Sequence, residues 1–205
     1  MASREIEELF AQALTGDYED DAAWEAVHAL RALGTRGVFE RAAELCGSND
    51  SLSRARGASV LGQLGRRFEQ RSNAFADESY TVLTELVQRE TEPQPLASGI
   101  AALGHLGNPL AIPVIASFSS HPGPEVRFDL AFALGCFPND QLSAATLLAL
   151  MEDSNKDVRD WATFGLGALG ELDSAEICEG LVRRLTDDDE DVREEAMVGL
   201  GKRND

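Results

Sequence analysis

A segment of thirteen residues recurs along the chain: SRARGASVLGQLG (53–65), PLASGIAALGHLG (95–107), VRFDLAFALGCFP (126–138), VRDWATFGLGALG (158–170) and VREEAMVGLGKRN (192–204), with a weaker first copy, AAWEAVHALRALG (22–34). The aligned positions Arg31, Gly62, Gly104, Gly135, Gly167 and Gly201 lie 31, 42, 31, 32 and 34 residues apart. One period, about 32 residues long with a single insertion, therefore runs the whole length. Self-similarity at that period leaves little besides a stacked-repeat fold.

Each copy carries apolar residues at helical spacing, such as Val158, Ala162, Leu166 and Leu169, and ends near a glycine such as Gly170, a helix stop that tolerates left-handed backbone. Between copies lie further amphipathic stretches, REIEELFAQAL, RGVFERAAELC, SYTVLTELVQRE, LAIPVIASF, QLSAATLLALM and AEICEGLVRRL, and no segment alternates as a strand would. The unit is helix, turn, helix. One pair buries too little to stand alone and gains a core only by stacking on its neighbours. Helix starts are marked at Ser48–Ser51, Asp153–Asp157 and Asp187–Asp191, whose oxygens and charges suit unsatisfied N–H groups.

The starts Glu125-Val126-Arg127, Asp157-Val158-Arg159 and Asp191-Val192-Arg193, each followed by alanine or leucine and then Leu-Gly, resemble the HEAT repeat, especially the short HEAT-like repeats of the phycobilin lyase type. The resemblance implies an all-α fold, a right-handed α-α superhelix of roughly six helix pairs in one domain over 1–205. The pairs fall at about 3–34, 35–65, 77–107, 109–138, 140–170 and 174–204, with an insertion at 66–76. That repeat serves scaffolds, adaptors and some enzymes, so it specifies architecture better than activity.

Composition narrows the function. The chain has 36 acidic against 18 basic side chains, a formal charge of −18, which repels nucleic-acid backbones and anionic membranes and favours basic or neutral partners. Its two lysines, Lys156 and Lys202, are also what a salt-rich habitat or a GC-rich genome would leave. No apolar run approaches the ~18 residues of a membrane span. The start MASREIEELF lacks a signal peptide's basic flank and apolar stretch, so a cytoplasmic location is expected.

Metal, cofactor and catalytic motifs are not found. Cys46, Cys136 and Cys178 are odd in number and far apart, and are expected to be buried free thiols. His28, His105 and His121 make no pair at ligand spacing, so the di-iron chemistry of the HEAT-like deoxyhypusine hydroxylases does not carry over. The run Asp187 to Asp191 lacks the alternation, central glycine and closing glutamate of a calcium loop. Nucleophile-elbow and phosphate-loop signatures are missing too. The chain reads as non-enzymatic.

Two features remain as binding candidates. On a helical wheel, Val158, Ala162, Gly165, Leu166 and Leu169 define the core direction and positions 160, 163, 164 and 167 face away. The outward columns hold Trp24 and His28, Phe128 and Phe132, and Phe164, with Trp161 and Asp129 at the edge. In HEAT-like stacks the second helices line the concave surface. Phe128, Phe132, Trp161 and Phe164 would form an aromatic patch there, rimmed by Asp129, Asp160 and Glu194 and suited to a protein or peptide hot spot. The alternative is that these rings pack against the next helix. The insertion Arg66–Ala76 concentrates three arginines, either as a second binding element or as a surface loop with Phe68 and Phe75 tucked onto the stack. Arg127, Arg159 and Arg193, joined by Arg54, are expected to form a structural ladder to neighbouring acidic turns.

The leading expectation is a protein-interaction scaffold that uses its concave face. The resemblance implies two alternatives: a tetrapyrrole-handling subunit of the phycobilin lyase type, and a HEAT-like DNA glycosylase, whose basic groove is missing here.

Overall fold

The computed structural model describes residues 2–66 and 73–203. Twelve α-helices and no strand occur among the described residues. They are α1 (Ala2–Ala13), α2 (Asp21–Leu33), α3 (Arg36–Cys46), α4 (Ser51–Gly62), α5 (Ala76–Arg89), α6 (Pro93–Leu106), α7 (Ile112–Ala116), α8 (Pro124–Gly135), α9 (Gln141–Leu150), α10 (Lys156–Phe164), α11 (Ala175–Arg184) and α12 (Glu190–Gly201). The chain divides into two compact units, Met1–Leu106 and Gly107–Asp205, each with three helix pairs.

In the first unit α1 packs on α2, α3 on α4 and α5 on α6, while α4 lies against both α2 and α6. Phe10, Leu30, Leu61, Leu83, Leu86, Leu96, Ile100 and Leu103 fill the space between them and are almost fully excluded from water. In the second unit α8, α10 and α12 stack in sequence, with α7, α9 and α11 behind them. Ile115, Leu130, Leu134, Leu147, Val158, Leu166, Leu181 and Val192 form its core. Burying a Leu or Ile side chain contributes about 1.5–3 kcal/mol, and only adjacent pairs together exclude water from it.

The turn chemistry holds at atomic detail. Asp50, Asn155 and Asp189 each sit in extended backbone before a helix and accept from its first N–H groups, as do Asp20, Asp140 and Ser174 at other starts. The glycine stops do not all follow one rule. Gly34 and Gly65 adopt positive φ, +56° and +73°, as does Gly107, at +69°. Gly170 does not; its φ of −75° and ψ of 149° are extended. What requires glycine there is space, because an added Cβ would lie 2.7 Å from the Leu166 carbonyl oxygen.

The expected wheel also fails over its last turn. From Gly165 to Leu169 the helix widens into a π turn, which holds more residues per revolution than the α-helix. Residues beyond Phe164 are rotated relative to an ideal α-helical wheel. Leu169, expected in the core, is 42% exposed. Gly167, expected outward, is buried, with an added Cβ placed 3.2 Å from the Gly199 Cα. Thr163 is also inward and fully buried, where its hydroxyl donates to the Arg159 carbonyl at 2.7 Å. Of the cysteines only Cys46 is buried; Cys136 is exposed and Cys178 half-buried.

Of the insertion at 66–76, residues 67–72 lie outside the described residues, Phe68 among them. Its end is anchored in the first unit. Asn73 donates to the Leu61 carbonyl at 2.6 Å, and the Ala74 N–H donates to Leu64 at 2.8 Å. The Phe75 ring packs 5.2 Å from Phe39 beneath the Arg36 guanidinium, 4.3 Å away.

Candidate protein-binding face

Each ladder arginine is the fourth residue of its helix, one after a buried position (Ser53, Val126, Val158 or Val192), so its side chain turns back toward the preceding loop. Arg127 forks onto Asp153 at 2.7 and 2.8 Å and donates its remaining nitrogen to the carbonyls of His121 and Pro122. Arg159 repeats this on Asp187 at 2.9 and 2.7 Å, reaching Asp188 and the carbonyls of Asp153 and Ser154. In the first unit Arg54 pairs with Glu90 at 2.6 and 3.1 Å and touches Glu92. Among the described residues Arg193 keeps only the carbonyl bonds, to Asp187 and Asp188. Planar guanidinium matches carboxylate in this way, and each rung ties a helix start to the following turn.

The ladder makes the turns rigid and perturbs their acids. The Arg127 hydrogen bonds hold Asp153 below the usual carboxylate range. Burial by itself would raise Asp187 and Glu90, but the hydrogen bonds from Arg159 and Arg54, with nearby backbone N–H groups, outweigh it and lower both.

In the second unit the four aromatic residues meet. Trp161, on α10, is the hub: Phe128, Phe132 and Phe164 approach it edge-on, with centroids at 5.9, 5.3 and 5.5 Å and interplanar angles of 87°, 85° and 88°. Contacts of this geometry add about 0.5–1.5 kcal/mol each to the burial term. All four rings remain half-buried. Phe128 and Trp161 line an open recess of about 550 Å³ with Pro124, Glu125, Asn155, Asp157 and Asp160, while Phe132 and Phe164 brace the indole. The rings thus pack on one another and still leave two of them at a surface.

Around that recess the carboxylates are electrostatically frustrated. Burial raises Asp129 from its ordinary 3.8 to about 7. Asp160 is raised by burial and then by Asp191, Asp189 and Asp157, and its Oδ1 is buried without a hydrogen-bond partner. Glu195 is raised by burial, Asp160, Glu194 and Asp191. No ion pair among the described residues reaches these three, and the nearby Lys156 pairs instead with Asp189 at 3.0 Å. These acids gain on meeting positive charge.

Trp24 lies elsewhere, in the first unit, and joins none of these rings. It is half-buried, its indole N–H donates to the Tyr18 carbonyl at 2.8 Å, and His28 sits 6.1 Å away. Two neighbours escaped the sequence reading. Arg56 is 1% exposed, stacked on Tyr18 and Trp24, and Tyr18 bonds through its hydroxyl to Ser98 at 3.0 Å. The signal lay in the alignment: Glu25, Arg56, Ser98, Asp129, Trp161 and Glu195 share one column, polar in five of the six copies, beside the core positions.

A family model described as HEAT repeats matches residues 80–167 and 143–205. The chain belongs to the HEAT-repeat family. This HEAT-repeat chain is 29% identical over 182 residues to protein YibA of Escherichia coli, a match covering 86% of the chain and 62% of YibA. The solved YibA structure superposes with a TM-score of 0.74 at 24% identity, over 97% of this chain and 72% of the other. A designed armadillo repeat protein in complex with the peptide (KR)4 shares the fold, with a TM-score of 0.64 at 12% identity and 98% of each chain covered. The phycocyanobilin lyase subunit alpha of Thermosynechococcus vestitus is 39% identical over 83 residues, 40% of this chain and 30% of that one. No helix among the described residues is long and apolar enough to cross a membrane.

Proposed function

We propose that the chain is a non-enzymatic binding module that grips a basic peptide segment on the α8–α10–α12 face of its second unit. The observation that carries this is the recess itself: Phe128 and Trp161 open beside Asp157 and Asp160. A lysine or arginine side chain suits it, laying its stem on the rings and its charge against the carboxylates. The fold supports the reading, since a designed armadillo protein of similar architecture is seen with a Lys-Arg peptide.

Fluorescence titration with an alternating Lys-Arg octapeptide tests it. Saturable binding that weakens with salt is expected, along with a loss of about 1–3 kcal/mol for Phe128→Ala while the melting temperature stays within a few degrees. An absence of binding at low salt, or equal binding by Phe128→Ala, would overturn it. The match to a phycocyanobilin lyase subunit favours a second reading, tetrapyrrole handling. A perturbed visible spectrum on adding bilin would support that one instead.

A further inference from the structure

The first unit holds two arginines that differ from the forked rungs of the ladder. Arg54, Arg127 and Arg159 each fork onto a carboxylate. Neither Arg31 nor Arg56 has an ion-pair partner among the described residues, in a chain with twice as many acidic as basic side chains. Both guanidiniums flank one indole: Arg31 lies 5.6 Å and Arg56 4.6 Å from the centroid of Trp24.

Their hydrogen bonding is incomplete. Arg56 donates through Nη2 to the carbonyls of Asp17 and Tyr18, at 3.2 and 3.0 Å, and its Nε and Nη1 are buried with no acceptor. Arg31 donates through Nε to the Ser59 carbonyl at 2.9 Å, and its two terminal nitrogens meet no acceptor among the described residues. The nearby acids are engaged elsewhere. Asp20 caps α2 by accepting from Ala23, and Asp17 accepts from the Glu19 N–H. The surrounding side chains are hydroxyls, which can donate as well as accept: Tyr18 Oη lies 3.0 Å from Ser98 Oγ and 3.5 Å from Ser59 Oγ. Burial lowers Arg31 to about 10, with Arg56 acting in the same direction; burial, then Arg31 and Arg66, lowers His105 to about 4.

We propose that Arg31 and Arg56, with the hydroxyls of Tyr18, Ser59 and Ser98, form an oxyanion-binding site on the first unit, taking a carboxylate or phosphate group of a ligand. Arg31 offers its free terminal nitrogens as the direct contact. Arg56, deeper, supplies the second positive charge and holds the Asp17–Tyr18 loop through its two carbonyl bonds. Asp20, Glu19 and Asp17 act on Arg56 only through space, so an anion here gives two partly desolvated guanidiniums the direct partner they lack and satisfies donors that the fold leaves open. The sequence carries a trace of it: Arg31 stands in the column where the five other copies have glycine.

The test uses the full chain carrying Trp161→Phe, so that Trp24 is the single tryptophan. Inorganic phosphate and acetate are titrated separately against chloride at constant ionic strength while Trp24 emission is read. A saturable change with either anion, weakened tenfold or more by Arg31→Gln in protein whose helicity is unchanged, supports the site. Tighter binding of phosphate marks a phosphate-bearing ligand, and tighter binding of acetate a carboxylate. If Arg31→Gln does not fold, Arg31→Lys keeps the charge and loses the planar fork, and a several-fold weakening is expected. No saturable change beyond chloride, or an unchanged titration in the Arg31 variant, overturns the proposal.

Discussion

Asp129→Asn separates what the acidic face costs in stability from what it does in binding. Asp129 lies half-buried on α8, next to Phe128, and burial raises its carboxyl from 3.8 to about 7. The sign follows from proton counting. Between about pH 4 and 7 the folded state holds a proton that the unfolded chain has released, so stability falls as pH rises through that window and is flat above it. At about 1.36 kcal/mol per tenfold in proton affinity, the ceiling on the destabilisation at pH 8 is about 4 kcal/mol. Water reaching a partly exposed carboxyl reduces this to a few kcal/mol at most. Asparagine keeps the shape and removes the charge. Urea unfolding followed by tryptophan emission should show Asp129→Asn more stable than the parent by about 2–4 kcal/mol at pH 8 and by about 1–2 kcal/mol at pH 5. Asp160 and Glu195 titrate in both proteins, so their contributions largely cancel in the difference. The same substitution should weaken capture of the Lys-Arg peptide, whose charge would otherwise draw the proton off. Parallel pH-stability profiles for the two proteins would refute the reasoning.

Breaking a ladder rung should do the opposite. Asp187→Asn leaves Arg159 desolvated and without its forked partner, a loss expected near 3–5 kcal/mol, measurable by urea denaturation. Because Asp153, Asp187 and Glu90 are held low, their stabilisation is present above about pH 4, the ordinary carboxylate range, and disappears as pH falls below it. Circular dichroism against pH should therefore show acid unfolding below about pH 4. Gly167→Ala forces a methyl against Gly199, Leu181 and the Glu195 carbonyl, and should lower stability by about 1–3 kcal/mol. Gly201→Ala, in open space at the end of α12, should be neutral or slightly stabilising in the same melts.

Much of this chain is legible without coordinates because its architecture is periodic. Spacing, caps and apolar columns are local properties, and a stack of helix pairs repeats them, so the number and nature of the helices follow from residues such as Val126, Val158 and Val192 and the capping residues before them. The ladder was legible for the same reason, since Arg127 and Arg159 stand one period apart from turns that supply acids. Three things were not. The π turn at Gly165–Leu169 coincides with the close approach of Gly167 to Gly199, a contact between helices that no wheel contains. The depth of Trp161 depends on three rings from two helices converging on it, whereas the wheel gave only its direction. The unpaired state of Arg31 and Arg56 depends on which carboxylates come near them in space. Helix and order come from interactions within a few residues; charge balance, ring packing and exposure are sums over neighbours that only the tertiary structure brings together.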